Sequence, residues 1–510
     1  MDLMKKNLII YYNLNIMMIS LNKLKFKKLQ KFFIFIYIII NLIITLPSNA
    51  EDLMEIYLLS KKNDPTFIIG QQQHLINLEK LNLVKSKLLP NINFTANQTH
   101  VNNKDKLNTF NNGNKNSINY ENSNYSLNIE QPIFNLAFIS MYYTGKKEIL
   151  ASFKKYEDLE QELLLKVIEQ YFAILSAINQ VEIINAAIET FYQQLDKATQ
   201  KCNIGLATIN DVNAAKAKLD NAYAQKITDV NSLNTEKEKL SQFVGKFIHT
   251  VNYLKQEIPL PYPEPNDPEL WLNKARENNL QLKAARYLLE AADENARAAK
   301  LDNWPTINLV ANISRNKTQP PLTNIYYPKQ IGVNLNLPIF SGGATISNSN
   351  AMALEKNVAL QELEATYRHV ESNTRIAYHT ILTTIKQINA WEQSVKSNTI
   401  ALESNQAAFE VGTKTITDVL NSQVDLLNAK KNYMQAKYEY LINTCRLKRA
   451  TGSLSIDDLQ QINKLLIITK HSINSKEEII DQNTNSDLNN NINTADIVKT
   501  NSDDSDKLIN

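Results

Sequence analysis

The side chains able to do chemistry are few in this chain, and they do not converge. Six histidines are scattered along 510 residues, and no Cys/His group has the spacing of a metal site. The two cysteines, Cys202 and Cys445, are too few for a disulfide framework in a chain of this size. There is no Gly-rich phosphate loop and no catalytic constellation. The expectation is therefore no enzyme, no metal and no cofactor. A formal net charge of +3, without a long Lys/Arg block in the body of the chain, gives no electrostatic reason to expect nucleic acid. What does recur is a polar octapeptide. Gly205-Leu206-Ala207-Thr208-Ile209-Asn210-Asp211-Val212 returns as Gly412-Thr413-Lys414-Thr415-Ile416-Thr417-Asp418-Val419. Placed in the first turn of a helix, Asp211 and Asp418 would each be stabilised by about 0.3–1 kcal/mol.

These octapeptides are landmarks of a duplicated unit, 207 residues apart. Gln131-Pro132-Ile133-Phe134 returns as Leu337-Pro338-Ile339-Phe340 at an offset of 206, and Gly245 returns as Gly452 at 207. Leu89-Pro90 answers Trp304-Pro305 at 215, so an insertion lies early in one unit. The chain has only 10 glycines, which makes chance agreement of such landmarks improbable. Each unit reads helix, Pro, strand, loop, strand, Pro, long helix, Gly turn, long helix.

The strands alternate. Ile92, Phe94 and Ala96 oppose Asn93, Thr95 and Asn97, and Tyr125, Leu127 and Ile129 oppose Ser126, Asn128 and Glu130. The second unit repeats this with Ile307, Leu309, Ala311 and Ile313, then Val333, Leu335 and Leu337. An apolar face against an amide-rich face at period two suits a membrane barrel with a wet lumen, or a soluble sandwich with one solvated face. The helices follow another rule. Leu163, Val167, Tyr171, Ile174, Ile178, Val181, Ile188, Tyr192 and Leu195 recur mostly at threes and fours, as do Ala377, Ile381, Ile385, Ile388, Trp391, Val395 and Leu402. From Phe138 to Cys202 the helix would run about 95 Å, and the returning helices about 60 Å each.

Four strands per chain cannot close a barrel, and an open edge in hydrocarbon leaves backbone groups unpaired. Two copies would give eight strands and three would give twelve. An eight-stranded barrel is filled by its own side chains, so three is the better number for a passage.

The N-terminus reads as a targeting segment. Lys23, Lys25, Lys27, Lys28 and Lys31 precede the apolar run Phe32 to Leu46, and Ser48-Asn49-Ala50 is a small-x-small cleavage site. A retained anchor is the alternative, but the run is shorter than the roughly 20 residues of a span. No other stretch reads as long and apolar enough to cross a bilayer as a helix.

Several motifs together carry a family resemblance. They are Glu51-Asp52-Leu53-Met54-Glu55-Ile56-Tyr57 with Asn63-Asp64-Pro65, Leu88-Leu89-Pro90, and Gln131-Pro132-Ile133-Phe134. Leu337-Pro338-Ile339-Phe340-Ser341-Gly342-Gly343 and Val411-Gly412-Thr413 with Asp418-Val419-Leu420 complete the set. From Glu51 to Leu459 the chain resembles the TolC-type family of outer-membrane efflux proteins. The resemblance implies a mainly α fold with a small membrane β part: a homotrimeric twelve-stranded barrel continued by a coiled-coil tunnel across the periplasm. It implies a passive conduit of a tripartite efflux or type I secretion system, in contact with outer-membrane lipid, a periplasmic adaptor and an inner-membrane pump. It also implies a gate at the periplasmic end, drawn from Asn210, Asp211, Phe409, Lys414, Asp418 and Asn421, with Lys414 facing Asp211 of the adjacent hairpin. The turns Gly205-Leu206 and Gly412-Thr413 would meet the adaptor. Phe409, Lys414, Asn421 and Asn210 stand where the best-known members carry tyrosine, arginine, aspartate and threonine. The latch is thus expected to differ, and the acidic ring to be weaker.

The expected organisation is 1–50 signal peptide with an N-terminal extension, 51–258 first repeat, 259–271 belt, 272–459 second repeat and 460–510 polar disordered tail. Two rival readings fit the sequence less well. A periplasmic adaptor would carry one hairpin rather than two copies with paired strands. A hydrolase with coiled-coil insertions would need a site constellation.

Overall fold

The computed structural model describes residues 52–103, 118–255, 257–319 and 324–467. The expected signal peptide and all of the tail beyond 467 lie outside the described residues.

Each repeat opens on a pair of capped helices. In the first, α1 (Leu53–Asn63) and α2 (Pro65–Ser86) begin at Asp52 and Asp64, which accept from Glu55 N–H at 2.7 Å and Thr66 N–H at 2.8 Å. In the second, α5 (Pro268–Asn278) and α6 (Leu280–Leu301) begin at Asp267 and Asn279, which accept from Glu269 N–H at 2.9 Å and Leu282 N–H at 3.0 Å. Such caps satisfy orphan N–H groups and contribute about 1 kcal/mol each. Pro65 and Pro268 fit because the first helical turn has no use for their missing N–H.

Strands β1 (Asn91–Asn103), β2 (Ile118–Phe134), β4 (Thr306–Gln319), β5 (Asn324–Tyr326) and β6 (Lys329–Asn336) form one antiparallel sheet. Its order is β1-β2-β4, with β5 and β6 both on the far edge of β4. Those two are one strand interrupted before Pro328, so the expected four strands per chain are present. The period-two alternation holds across the register. Ile92, Ile129, Ala311 and Ile331 lie side by side on one face. Asn93, Asn128, Asn312 and Gln330 do so on the other. On the polar face Asn312 donates to Asn128, Asn124 donates to Asn316, and Asn308 donates to Glu130 at 2.9 Å. Pro132 lies inside β2 at a register shift rather than beyond the strand end, while Pro338 follows β6.

The long helices are α3 (Leu136–Asn203), α4 (Ile209–Val244), α7 (Ala344–Glu410) and α8 (Ile416–Ala450). At 1.5 Å per residue α3 and α7 each run about 100 Å. Near the sheet the helices lie side by side in the order α2-α3-α6-α7. His74 of α2 meets Ser152 of α3 at 3.1 Å, Lys147 of α3 pairs with Glu290 of α6 at 2.6 Å, and Asp293 of α6 pairs with Lys356 of α7 at 2.6 Å. Farther from the sheet α3 pairs with α4 and α7 with α8. Where these arrangements meet, Leu53, Ile56 and Tyr57 of α1 close over Val167, Ile168, Tyr171 and Phe172, with Leu240 of α4, Ile381 and Ile385 of α7 and Leu441 of α8. Each such side chain contributes about 1.5–3 kcal/mol by leaving water.

The linker between repeats is pinned to this core. The backbone carbonyls of Pro261 and Pro265 accept from Tyr440 Oη at 2.8 Å and Trp271 Nε1 at 2.7 Å, and Asn266 accepts from Tyr378 Oη at 2.8 Å. The expected limits of belt and tail both cut structure. Residue 271 lies within α5, and residue 460 lies within α9 (Ile456–Asn463). Beyond α9, Leu466 and Ile467 form β7, which pairs with β3 (Tyr253–Leu254). The apolar side chains at Ile462, Leu465 and Leu466 carry order past the expected boundary.

Two other readings of the sequence need correction. The α3 stripe passes through Phe191, which is 3% exposed, while Tyr192 is 59% exposed. After the polar Asn185 the seam shifts to Ala187, Phe191 and Ala198, because there the helix packs on Leu219 of α4 and Ile416 and Leu420 of α8 and no longer on the core around Tyr171. In addition, α3 contains an 18-residue window of mean hydropathy 1.4, which is apolar enough to span a membrane. Of that window 39% is buried within the chain.

Cys202 and Cys445 are unbridged. Cys445 is buried in α8, and that burial pushes its thiol up to about 12. At neutral pH maleimide is expected to label half-buried Cys202 in the native protein and Cys445 only after denaturation. Equal labelling of both in native protein, read by peptide mass mapping, would contradict this packing.

Candidate functional site at the hairpin tips

Both long hairpins turn through a left-handed glycine, Gly205 at φ 77° and Gly412 at φ 79°. A Cβ on either would meet nothing within 4 Å, so backbone conformation alone demands glycine here. In the first turn Gly205 N–H reaches the Cys202 carbonyl at 3.0 Å and Leu206 N–H reaches Lys201 at 2.8 Å. In the second, Gly412 N–H reaches Phe409 at 3.2 Å and Thr413 N–H reaches Ala408 at 2.9 Å. These bonds satisfy the last carbonyls of α3 and α7.

The next helices start on reciprocal caps, and here the two repeated aspartates find their local partners. Asp211 Oδ2 accepts from Thr208 N–H at 2.9 Å and Thr208 Oγ1 at 2.8 Å, while Thr208 Oγ1 accepts from Asp211 N–H at 3.3 Å. Asp418 and Thr415 repeat this at 3.0, 2.9 and 3.2 Å. The Thr415 backbone and hydroxyl hydrogen bonds, with the Lys414 charge, hold the Asp418 carboxyl below its ordinary value. Asp418 therefore stays ionised to lower pH than a free aspartate. Within one chain Lys414 acts on Asp418, and Asp211 is engaged by Thr208. Asn210, Lys414 and Asn421 are exposed, as are Leu206 and Thr413.

The two tips lie against each other. Phe191, Leu219, Ile416 and Leu420 are buried in one cluster drawn from α3, α4 and α8, with Phe409 packed on it from the end of α7. Lys201, in the last turn of α3, reaches across to that phenyl ring. Its Nζ stands 4.0 Å from the ring centroid and donates to the Phe409 carbonyl at 3.3 Å. On the α7–α8 side Asn405 Nδ2 donates to Ser422 Oγ at 2.6 Å, and Ser422 Oγ donates to the Asp418 carbonyl at 2.9 Å.

Six residues were expected at a gate, and the fold sets all of them on the two tips. Among them Phe409 makes a side-chain contact from one hairpin to the other. Thr208, Thr415 and Lys201 were missed. The Thr-x-x-Asp spacing, present in both octapeptides, is a capping-box signal that would have found the threonines. Nothing in sequence marks Lys201, because its partner lies 208 residues away.

The chain is similar to known proteins over most of its length. The family model described as outer membrane efflux protein matches residues 60–246 and 271–453. The outer membrane protein TolC of Vibrio cholerae is 30% identical over 426 residues, covering 82% of this chain and 95% of its own. The alkaline protease secretion protein AprF of Pseudomonas aeruginosa is 23% identical over 417 residues, covering 81% and 87%. Among solved structures, the CmeC outer membrane channel of Campylobacter jejuni superposes with a TM-score of 0.69 at 17% identity, covering 82% of this chain and 90% of its own.

Proposed function

This chain belongs to the outer membrane efflux protein family, and from that premise we propose that three copies close a barrel and a tunnel that are gated where the hairpin tips meet. The protein is an outer-membrane channel for efflux or type I secretion.

One observation carries the three-copy reading. The sheet runs β1-β2-β4-β6 and the helical layer beneath it runs α2-α3-α6-α7. Both layers end on corresponding segments: β1 and α2 from the start of the first repeat, β6 and α7 from the second. A neighbouring copy that pairs β1 with β6 therefore also brings α2 beside α7. The helical edges are apolar to match, with Ile69, Ile76 and Leu83 exposed on α2 and Ile346, Leu354 and Val358 on α7. In lipid an unpaired strand edge costs several kcal/mol per group, so closure is strongly favoured. Twelve strands leave a lumen lined by the amide face.

The tips present exposed Ile204, Leu206, Ile209 and Val411 beyond the barrel-distal end. These apolar knobs suit docking to the adaptor of a tripartite assembly, with Gly205, Leu206, Gly412 and Thr413 shaping the contact. The conduit is passive, and work is supplied by an inner-membrane partner. Three copies would set three Asp418 carboxylates around the axis. Such a ring favours cations and rejects anions.

Because Asp418 also caps its helix, the two roles need separate variants. Asp418→Gln keeps an acceptor suited to the capping box and removes the charge. Thr415→Ala removes the cap and keeps the charge. In bilayer recordings Asp418→Gln is expected to bring cation preference toward unity, while Thr415→Ala lowers thermal stability by about 1 kcal/mol and leaves preference intact. If Asp418→Gln keeps wild-type selectivity, the ring reading fails.

A further inference from the structure

The outward face of the sheet changes character along its length. On β4 the outward positions Ile307, Leu309, Ala311 and Ile313 are followed by Arg315 and Lys317. On β6 the outward positions Leu335, Val333 and Ile331 are followed, toward the same end, by Lys329. The register sets Lys329 opposite Ile313, so it lies one outward step from Arg315 on the neighbouring strand. Successive outward residues on a strand are about 7 Å apart. Three cations thus gather at one border of an apolar band that spans about 20 Å from Ile307 to Ile313.

Aromatic rings frame this border. Tyr125 is paired with Arg315 across the strands and is exposed, and the Arg315 guanidinium lies 5.9 Å from the Tyr327 ring centroid. Farther along the same face Glu121 stands 3.8 Å from His100, so this acid has a local partner of its own. The opposite border of the band is uncharged on these two strands and carries exposed Trp304, Ile339 and Phe340. The basic border is the one that leads to the strand-connecting loops. The other leads into the long helices. On the barrel reading above, the loop end faces the outer leaflet.

We propose that Arg315, Lys317 and Lys329 form a site on the barrel wall for the phosphate groups of outer-leaflet glycolipid. The match is one of depth as well as charge. A lipid whose acyl chains lie against Ile313, Ala311 and Ile331 carries its headgroup phosphates at the level of these cations. A guanidinium grips phosphate through paired N–H donors, and two ammonium groups add point charges beside it. Tyrosine at the same level suits the interface between hydrocarbon and headgroups. Three copies would place three such sites around the barrel.

The proposal rests on the reading of the sheet as a membrane barrel, and the test separates the two. Full-length protein and the triple variant Arg315→Gln, Lys317→Gln, Lys329→Gln are reconstituted in phosphatidylcholine nanodiscs with bisphosphorylated lipid A or its dephosphorylated form. Insertion is scored as an SDS-resistant oligomer, and retained lipid A is counted by native mass spectrometry. Wild type is expected to retain bisphosphorylated lipid A at least tenfold better than the dephosphorylated form. The triple variant should insert normally and lose that preference. Equal retention by wild type and inserted variant, or equal retention of both lipids by wild type, overturns the site and leaves the barrel standing. A wild type that does not insert overturns the barrel reading and the site with it.

Discussion

A Lys201→Met channel is expected to conduct at rest far more than the native one. Lys201 joins the end of α3 to the end of α7 through the Phe409 ring at 4.0 Å and its carbonyl at 3.3 Å. A cation over an aromatic face contributes about 1 kcal/mol. Three copies opening together would lose roughly 3 kcal/mol of closed-state preference, about two orders of magnitude in resting open fraction. Lys201→Arg keeps a cation over the ring and should stay closed. Phe409→Leu should leak like Lys201→Met, and the double variant should leak no more than either, since one contact is being removed twice. Phe409→Tyr keeps the ring and should be near neutral. A resting conductance unchanged in Lys201→Met would mean that the contact does not hold the tips.

Gly452→Ala should damage the fold more than any other single methyl added at a turn. Gly452 ends α8 at φ 67°, and a Cβ there would lie 2.4 Å from the Asn278 carbonyl oxygen and 2.9 Å from its carbon. Backbone cannot move aside as a side chain can, so the loss should reach about 4 kcal/mol or more. Gly245 is its counterpart at φ 73°, where the nearest atom is Cβ of the Asn63 side chain at 3.2 Å. Gly245→Ala should cost the left-handed strain, about 1–2 kcal/mol, and a small shift of the Asn63 side chain. Gly205→Ala and Gly412→Ala, with open space around them, should cost the left-handed strain alone. Thermal melting and yield of SDS-resistant oligomer measure the difference. Equal losses at 245 and 452 would contradict the packing of α8 against the α5–α6 corner.

Much of this architecture was legible because it is written in periods. Ile92, Phe94 and Ala96 alternate with amides, and the sheet keeps that alternation strand by strand. Gly205 and Gly412 announced both tips because left-handed turns have few other tenants. The neighbours were harder to read. Nothing in the stripes states that α6 lies between α3 and α7, because an amphipathic face records that it is covered but not by what. Phe191 replaced Tyr192 in the seam for a similar reason: both lie within one helical step of the same line. The clip between Tyr253–Leu254 and Leu466–Ile467 joins segments more than two hundred residues apart. Asp211 and Asp418 were read from their charge, yet their nearest partners are Thr208 and Thr415, three residues before each. Lys201 was invisible as a single basic residue among several on α3.

The account stands on closure by three copies, and native mass spectrometry of detergent-extracted protein tests it most directly. The two open edges require a closed ring, and a passage wider than eight strands allow makes it three, so a single species of three chain masses is expected that survives dilution and, in SDS, collapses to one chain mass only on heating. A stable monomer or a closed dimer with paired strand edges would contradict it.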